Sequence, residues 1–277
     1  MRRMCAVLGV SPSGYYDWLK RPPSERQRAN EQLLRAIRRE YEASRQTYGS
    51  PRIQAALRQR GVRVGRQRVA RLMRANGLVA RGPWRRPRTT QRAPEAVAAP
   101  NLLGQDFTAS RPDEKWVADI TYNETLEGWL YLALVLDLFS RAIVGWAMAD
   151  HLRATLVESA LQMALGRRTP HGDLLHHSDQ GSQYTSTLVQ SLLAEHHLQV
   201  SMNGAGNCYS NAPMESFIGT LKTECADAPF ATRAAARQAI FEYLEVWYNR
   251  QRLHSSLGYL SPAAFEQQYA GEMKTVR

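Results

Sequence analysis

The sequence predicts a mixed α/β domain preceded by an all-α, helix-turn-helix-type domain, and three observations carry that prediction. Charge divides the chain: residues 1–92 hold 23 Lys and Arg against 5 Asp and Glu, and the remaining 185 residues hold 13 against 20. Hydrophobic spacing is helical up to about Gly77 and turns extended after Trp116, with a Pro- and Arg-rich stretch between. Beyond residue 150 helical and extended runs alternate, the pattern of an α/β layer fold. With 277 residues the chain is long enough for two domains, expected at 1–80 (helical) and 106–277 (α/β with C-terminal helices), with a basic linker over 81–105.

Pro22-Pro23 ends a first short segment, and a helix is expected from Asn30 to Ser44, with Leu33, Leu34, Ile37 and Tyr41 at helical spacing. Ser50-Pro51 resembles an N-cap followed by proline at the first helical position, opening a helix that stops before Gly61. Gly65 precedes a third helix, with Val69, Leu72 and Met73 inward, Arg66, Arg68, Arg71 and Arg74 outward, and Gly77 as its stop. Two short helices joined by a Gly-containing turn, the second studded with Arg, suggest a helix-turn-helix; an ordinary helical hairpin is the alternative. The net charge of +18 over residues 1–92 predicts a polyanion partner, because neutralising phosphates releases condensed counterions. Arg85 and Arg86, in the linker, either track a DNA backbone or belong to a solvated tether.

In the second domain Trp116–Tyr122, Trp129–Leu138 and Ile143–Met148 read as three strands joined by short turns. A helix over 153–166, a strand over Leu174–Ser178, a helix over 185–196, a strand over Leu198–Met202 and helices near 211–222 and 233–250 follow.

Several classes of function are excluded on composition. Cys5, Cys208 and Cys225 lie far apart without a Cys-x-x-Cys pair, which argues against a disulfide framework or thiolate zinc site and fits a reducing cytoplasm. The longest apolar stretch, Trp129 to Leu136, falls far short of the ~20 residues of a membrane span. Met1-Arg2-Arg3 has the look of a signal peptide, but Ser11-Pro12-Ser13-Gly14 interrupts its apolar run. The pairs His176-His177 and His196-His197 fit no ordinary zinc spacing.

Three carboxylates stand out by position. Asp119 shares a strand face with Val117 and Thr121, where its burial is costly without a partner or metal. Asp179 ends the apolar run from Leu174 and precedes Gln180-Gly181-Ser182; strand ends followed by glycine loops are where α/β proteins place reactive groups. Glu215 opens a helix whose buried face is Met214, Phe217, Ile218 and Leu221, and Lys222 lies two turns along the same side, with Gly219 leaving the strip between them open. Each alone has an ordinary reading, as a hydrogen-bonded strand residue, a turn aspartate and a surface Glu/Lys pair. Together they form a set of hard oxygen ligands suited to Mg²⁺, with Mn²⁺ as substitute. Asp137 is a competing acid, expected to end its strand and pair with Arg141.

The motifs Trp116-x-x-Asp119-Ile120-Thr121, His177-Ser178-Asp179-Gln180-Gly181-Ser182-Gln183-Tyr184 and Asn211-x-x-Met214-Glu215-Ser216-Phe217, with Leu221-Lys222-x-Glu224, resemble the DDE signature of retroviral-integrase-like transposases. Fifty-nine residues separate the aspartates and 35 separate Asp179 from Glu215, the second being the diagnostic spacing. The tail from Trp247 through Arg252 and His254 to Ser261-Pro262 is similar to that of the same family, and within it to OrfB of the third insertion-sequence family of bacteria. The resemblance implies a ribonuclease-H-like, integrase-like core of five strands, the first three antiparallel. It implies that Asp119, Asp179 and Glu215 are catalytic metal ligands for Mg²⁺ and that Lys222 contacts DNA. The implied activity is metal-dependent cleavage and strand transfer of double-stranded DNA, at element ends and target, without a covalent protein–DNA intermediate. A homo-oligomer on DNA at the bacterial nucleoid is implied as well. So is an OrfA-derived segment joined by frameshift fusion, whose helix-turn-helix and coiled coil do not occur from Met1 onward.

Overall fold

In a computed structural model of the chain, residues 1–82, 99–170, 173–203 and 211–275 are described. Two compact units divide it, Met1–Ala80 and Arg81–Arg277. Arg85 and Arg86 lie outside the described residues.

The first unit begins with two short helices, α1 (Arg2–Val7) and α2 (Pro12–Lys20). The Ser11-Pro12 break is a helix start: the Ser11 hydroxyl accepts the Gly14 amide at 2.9 Å and Pro12 occupies the first turn. Next comes α3 (Glu25–Ala43), which starts five residues before the expected Asn30 because Ser24 caps it by accepting from the Gln27 amide. Then α4 (Ser50–Gln59) and α5 (Arg66–Ala75) follow. Gly49, not Ser50, is the N-cap of α4, and no side chain caps it. Both helices end on a glycine in the left-handed region, Gly61 at φ +79° and Gly77 at φ +66°. The amides of Val62 and Leu78 then close onto the carbonyls of Leu57 and Met73, a Schellman-type ending that a side chain at those glycines would strain. Leu33, Ile37, Tyr41, Ile53, Leu57, Val69 and Met73 bury the shared apolar faces of α3, α4 and α5.

In the second unit, β1 (Lys115–Thr125), β2 (Gly128–Asp137) and β3 (Ile143–Ala149) form an antiparallel meander. Then come α6 (Ala154–Arg167), β4 (Leu175–Ser178), α7 (Thr187–Glu195) and β5 (Gln199–Met202). The sheet order is β3-β2-β1-β4-β5, with β1, β4 and β5 parallel. This is the five-stranded arrangement, first three antiparallel, that the resemblance implied. Trp116, Ala118, Val135 and Val144 pack against Leu156, Val157, Ala160 and Ala164 of α6 and Val189 and Leu193 of α7. At Gly145 the sheet comes so close to α6 that an added Cβ would collide with the Ala160 carbonyl and the Ala164 backbone. The chain closes with α8 (Ala212–Glu224), α9 (Arg233–Glu242), a π-helical stretch over Tyr243–Tyr248 and α10 (Pro262–Thr275). The helix expected over 233–250 thus changes pitch at Tyr243, and α10 was not anticipated.

Asp137 ends β2 fully buried, but it does not pair with the Arg141 side chain as expected. Its carboxylate accepts from the Ser140 amide (2.9 Å) and hydroxyl (2.7 Å) and the Asp113 amide (3.1 Å). Arg141 sits at φ +61° and gives its backbone amide to the Asp137 carbonyl. Burial pushes the Asp137 carboxyl up to about 6, against the pull of the Ser140 bonds. It is a turn-closing acid.

Candidate active site

Beyond Val117, β1 parts from β4, because their pairing covers only Lys115–Val117. Asp119 lies two residues past that fork, opposite Leu134 of β2, partly buried. Asp179 directly follows the last residue of β4, so the fork sets both aspartates at the ends of their paired segments. Asp179 accepts the Gly181 amide at 2.9 Å, and a Cβ at Gly181 would press on the Asp179 carboxylate. A side chain at Gly181 would have to displace the Asp179 carboxylate from this position. Glu215 stands exposed in the first turn of α8, where a negative charge is favoured by the helix dipole.

Electrostatics places the three acids in one neighbourhood. The Asp119 carboxyl is pushed up to about 7, first by burial, then by the negative charge of Asp179, and further by Glu215, with the Ile120 amide pulling the other way. Tyr184 is buried, its hydroxyl has no hydrogen-bond partner among the described residues, and burial together with Asp119 and Asp179 pushes it well above the usual phenol range. The acids converge to electrostatic range only: among the described residues no three His, Cys, Asp or Glu side chains stand close enough to enclose an ion. A cluster of mutually repelling hard-oxygen donors still fits a divalent cation chemically, since such a charge relieves the repulsion that raises Asp119.

The surroundings of Asp179 are built by His177 and Gln180 of its own motif together with Ser201 and Asn203, which the sequence reading did not single out. Ser201 Oγ accepts from the Leu102 and Leu103 amides at 2.9 and 3.2 Å, so its one proton goes to His177 Nδ1, 2.8 Å away. His177 Nε2–H then donates to Asn203 Oδ1 at 2.5 Å. The Asn203 amide donates to the Ser178 carbonyl, and its carbonyl accepts Gln180 Nε2 at 2.6 Å. One residue past β5 thus holds the residues on both sides of Asp179. His176 is buried and, through burial and then His177, lowered to about 4, so it is a neutral core residue.

At the far end of α8, Glu224 is buried and takes Arg252 as a two-pronged partner at 2.8–3.1 Å, with Tyr243 Oη donating at 2.9 Å and Trp247 Nε1 at 3.4 Å. Asn249 pairs with both backbone groups of Ile143 at 2.9 Å. The tail motif therefore clamps α8 and the β3 edge. Lys222, expected on DNA, is half-buried with its ammonium on the Tyr122 carbonyl and on Asn123 Oδ1 (2.9 Å), and 5.7 Å over the Tyr122 ring. In the first unit Arg66, Arg71 and Arg74 are exposed, whereas Arg68 binds Asn30 Oδ1 through Nε (3.0 Å) and Nη2 (2.8 Å), joining α5 to α3.

Comparison with known proteins now gives the relationship. Family models described as integrase core domain match residues 109–208 and 196–262, and one described as HTH-like domain matches residues 28–88. A Shigella sonnei protein, the insertion element IS600 uncharacterized 31 kDa protein, is 45% identical over 267 residues, covering 96% of this chain and 98% of that one. Transposase InsF for insertion sequence IS3A, from Escherichia coli K12, is 42% identical over 269 residues, covering 96% of this chain and 93% of its own. Among solved structures, the HTLV-2 integrase catalytic core domain in complex with magnesium is 16% identical and covers 56% of this chain and 97% of that one, with a TM-score of 0.42. An α/β unit with an integrase core, an N-terminal HTH-like helical unit and identity above 40% along nearly the whole length lead to one conclusion: the chain belongs to the IS3 family of insertion-sequence transposases.

Proposed function

We propose that the chain carries out both strand cleavage and strand transfer with Asp119, Asp179 and Glu215 as its catalytic acids, and that these three hold Mg²⁺, or Mn²⁺ in its place. The single observation that carries the reading is the raised Asp119 carboxyl, which responds to both of the other acids although they arrive from separate elements. Divalent cations bound there would activate an attacking oxygen and neutralise charge growing at phosphorus. The protein's own part is to orient the acids. His177, Asn203 and Gly181 fix the Asp179 turn, and the Glu224–Arg252 clamp fixes α8. Water first breaks a phosphodiester at the element end and leaves a 3′-OH. That hydroxyl then attacks a second phosphodiester, forming one P–O bond as another breaks, so no protein–DNA bond is needed.

The exposed Arg66, Arg71 and Arg74 are proposed to take duplex phosphates, with Arg68 contributing from its bond to Asn30. Lys222 would reach DNA by exchanging the Tyr122 carbonyl for a phosphate. Two element ends call for a homo-oligomer on the DNA, at the nucleoid of the bacterial cytoplasm, and an OrfA-derived segment fused by frameshift is proposed to add end recognition. The test is incubation of the full chain with duplex DNA that flanks its gene, with Mg²⁺ or Mn²⁺. A 3′-OH nick followed by joined product is expected, and neither from Asp119→Ala, Asp179→Ala or Glu215→Ala. Product formed equally by these variants, or without a divalent ion, overturns the assignment.

A further inference from the structure

Once β1 leaves β4 at Val117, one edge of the strand has no strand beside it among the described residues, and its backbone groups need other partners. The Ala118 carbonyl accepts Asn211 Nδ2 at 3.0 Å. The Ile120 amide closes onto the Asp119 carboxylate, and the Tyr122 carbonyl takes Lys222. Further on, Glu124 and Leu126 pair with Phe230. The edge on either side of Asp119 is thus bonded by the two ends of one helix, α8.

Asn211 is the N-cap residue of α8, yet its side chain does not cap. Such an asparagine ordinarily accepts from an amide of its own first turn; here no such bond exists, and the side-chain amide leaves the helix for β1. Asn211 is 5% exposed, and its Oδ1 has no partner among the described residues. Leaving a buried acceptor unmade is unfavourable, so the local helix gains nothing from this arrangement. Meanwhile the Asn211 carbonyl accepts the Glu215 amide at 3.0 Å. Asp119 and Glu215 are 96 positions apart in sequence. Through Asn211 they are joined by two hydrogen bonds, one to the residue before Asp119 and one to Glu215 itself.

We infer that Asn211 is a positioning residue whose side-chain amide, bonded to the Ala118 carbonyl, sets the register of Glu215 against Asp119. The inference rests on the reading of both acids as metal ligands. Lys222 ties α8 to β1 about two turns beyond Glu215, and Met214 packs the first turn into the core. A displacement of about 1 Å at a reacting group costs on the order of 10²-fold, which gives a single amide at this point its leverage.

The test compares Asn211→Ser, Asn211→Ala and Lys222→Ala in the full chain. Serine still favours the N-cap but is too short to reach β1, so a role limited to capping would leave Asn211→Ser unchanged. Two readouts need no catalysis: the Mn²⁺ concentration giving half-maximal thermal stabilisation without DNA, and the exchange rate of the Glu215 amide without metal. Both Asn211 variants are expected to raise the Mn²⁺ half-point by ~10–100-fold, the usual cost of losing an outer-shell partner, and to speed Glu215 exchange. Lys222→Ala is expected to shift neither by more than about twofold. Half-points within about twofold of wild type in both Asn211 variants overturn the inference. So does an equal shift in Lys222→Ala, which would make the effect one of general helix docking. Glu215→Gln separates the two readings: wild-type cleavage by Glu215→Gln removes the acid assignment itself, whereas an inactive Glu215→Gln beside normal Asn211 variants rejects only the positioning role.

Discussion

The exposed arginines of α5 and the buried arginines of the second unit are used in opposite ways. In Met1–Ala80, Arg66, Arg71 and Arg74 project from α5 into solvent, in a region where cations far outnumber anions. In the second unit Arg252 is buried against Glu224, and Arg168 is half-buried against Glu266 at 2.9 Å. Exposed guanidinium groups without a carboxylate remain available to phosphates and show in the net charge. Buried paired ones cancel in it, and their contribution is structural. A count of charge therefore finds the surface proposed to take a polyanion and misses the charges that hold α8.

The largest expected effect tests the second unit's inward-turned charges at the site. Asp179→Ala should lower cleavage by more than the ~10–100-fold typical of losing an outer-shell partner, while duplex binding by the full chain stays within about twofold. A gel-shift and a cleavage assay on the same preparation would check this, and a parallel loss of binding would erase the division between units. Next in size is Arg252→Ala, which leaves Glu224 buried without its cation and should destabilise the second unit by ~3–5 kcal/mol. Denaturant unfolding monitored by tryptophan would show it, and a change below about 1 kcal/mol would mean the pair is solvated. Gly145→Ala, which forces a methyl into the α6 backbone, should cost about 1–3 kcal/mol in the same measurement.

Smaller still is Arg71→Ala in the first unit. It should reduce the slope of log affinity against log salt by about one unit, with no change in unfolding free energy beyond ~0.5 kcal/mol. An unchanged slope would place the phosphate contacts elsewhere. The mildest test is by pH. The folded-state carboxyl of Asp119 is raised to about 7 from an ordinary value of 3.8, so it favours the folded chain fully below the lower value and loses that contribution as pH rises through the upper one. Metal-free wild type should therefore lose melting temperature relative to Asp119→Asn between about pH 4 and pH 7, and added Mn²⁺ should bind more tightly as the proton leaves. Parallel melting curves for the two proteins over that range would show that Asp119 is not perturbed.

Most of the second unit's elements were legible because their signals are local. Period-two runs mark β1 to β3, and an apolar run followed by Asp179-Gln180-Gly181 marks the end of β4. Boundaries failed where a cap outside the periodic region decided them, as Ser24 did for α3 and Ser11 for α2. Motif and spacing marked the three proposed acids, but not the side chains packed and bonded around them. Asn203 carries no pattern of its own, and His177 entered the sequence reading only as part of the motif around Asp179 and as one of two histidine pairs without zinc spacing.

What the sequence alone determined is the set of parts: a basic helical unit, five strands in order, and three acids at recognisable intervals. Those follow from residue type and near-neighbour spacing, which act within a turn of helix or a few residues of strand. Only the tertiary structure decided that β1 separates from β4 just before Asp119, that Asn211 turns from its own helix to the Ala118 carbonyl, and that Glu224 and Arg252, 28 residues apart, neutralise each other in the interior. A hydrogen bond or ion pair depends on distances of about 3 Å between side chains. Chain separation says nothing about such distances until the sheet and helices have brought the side chains together.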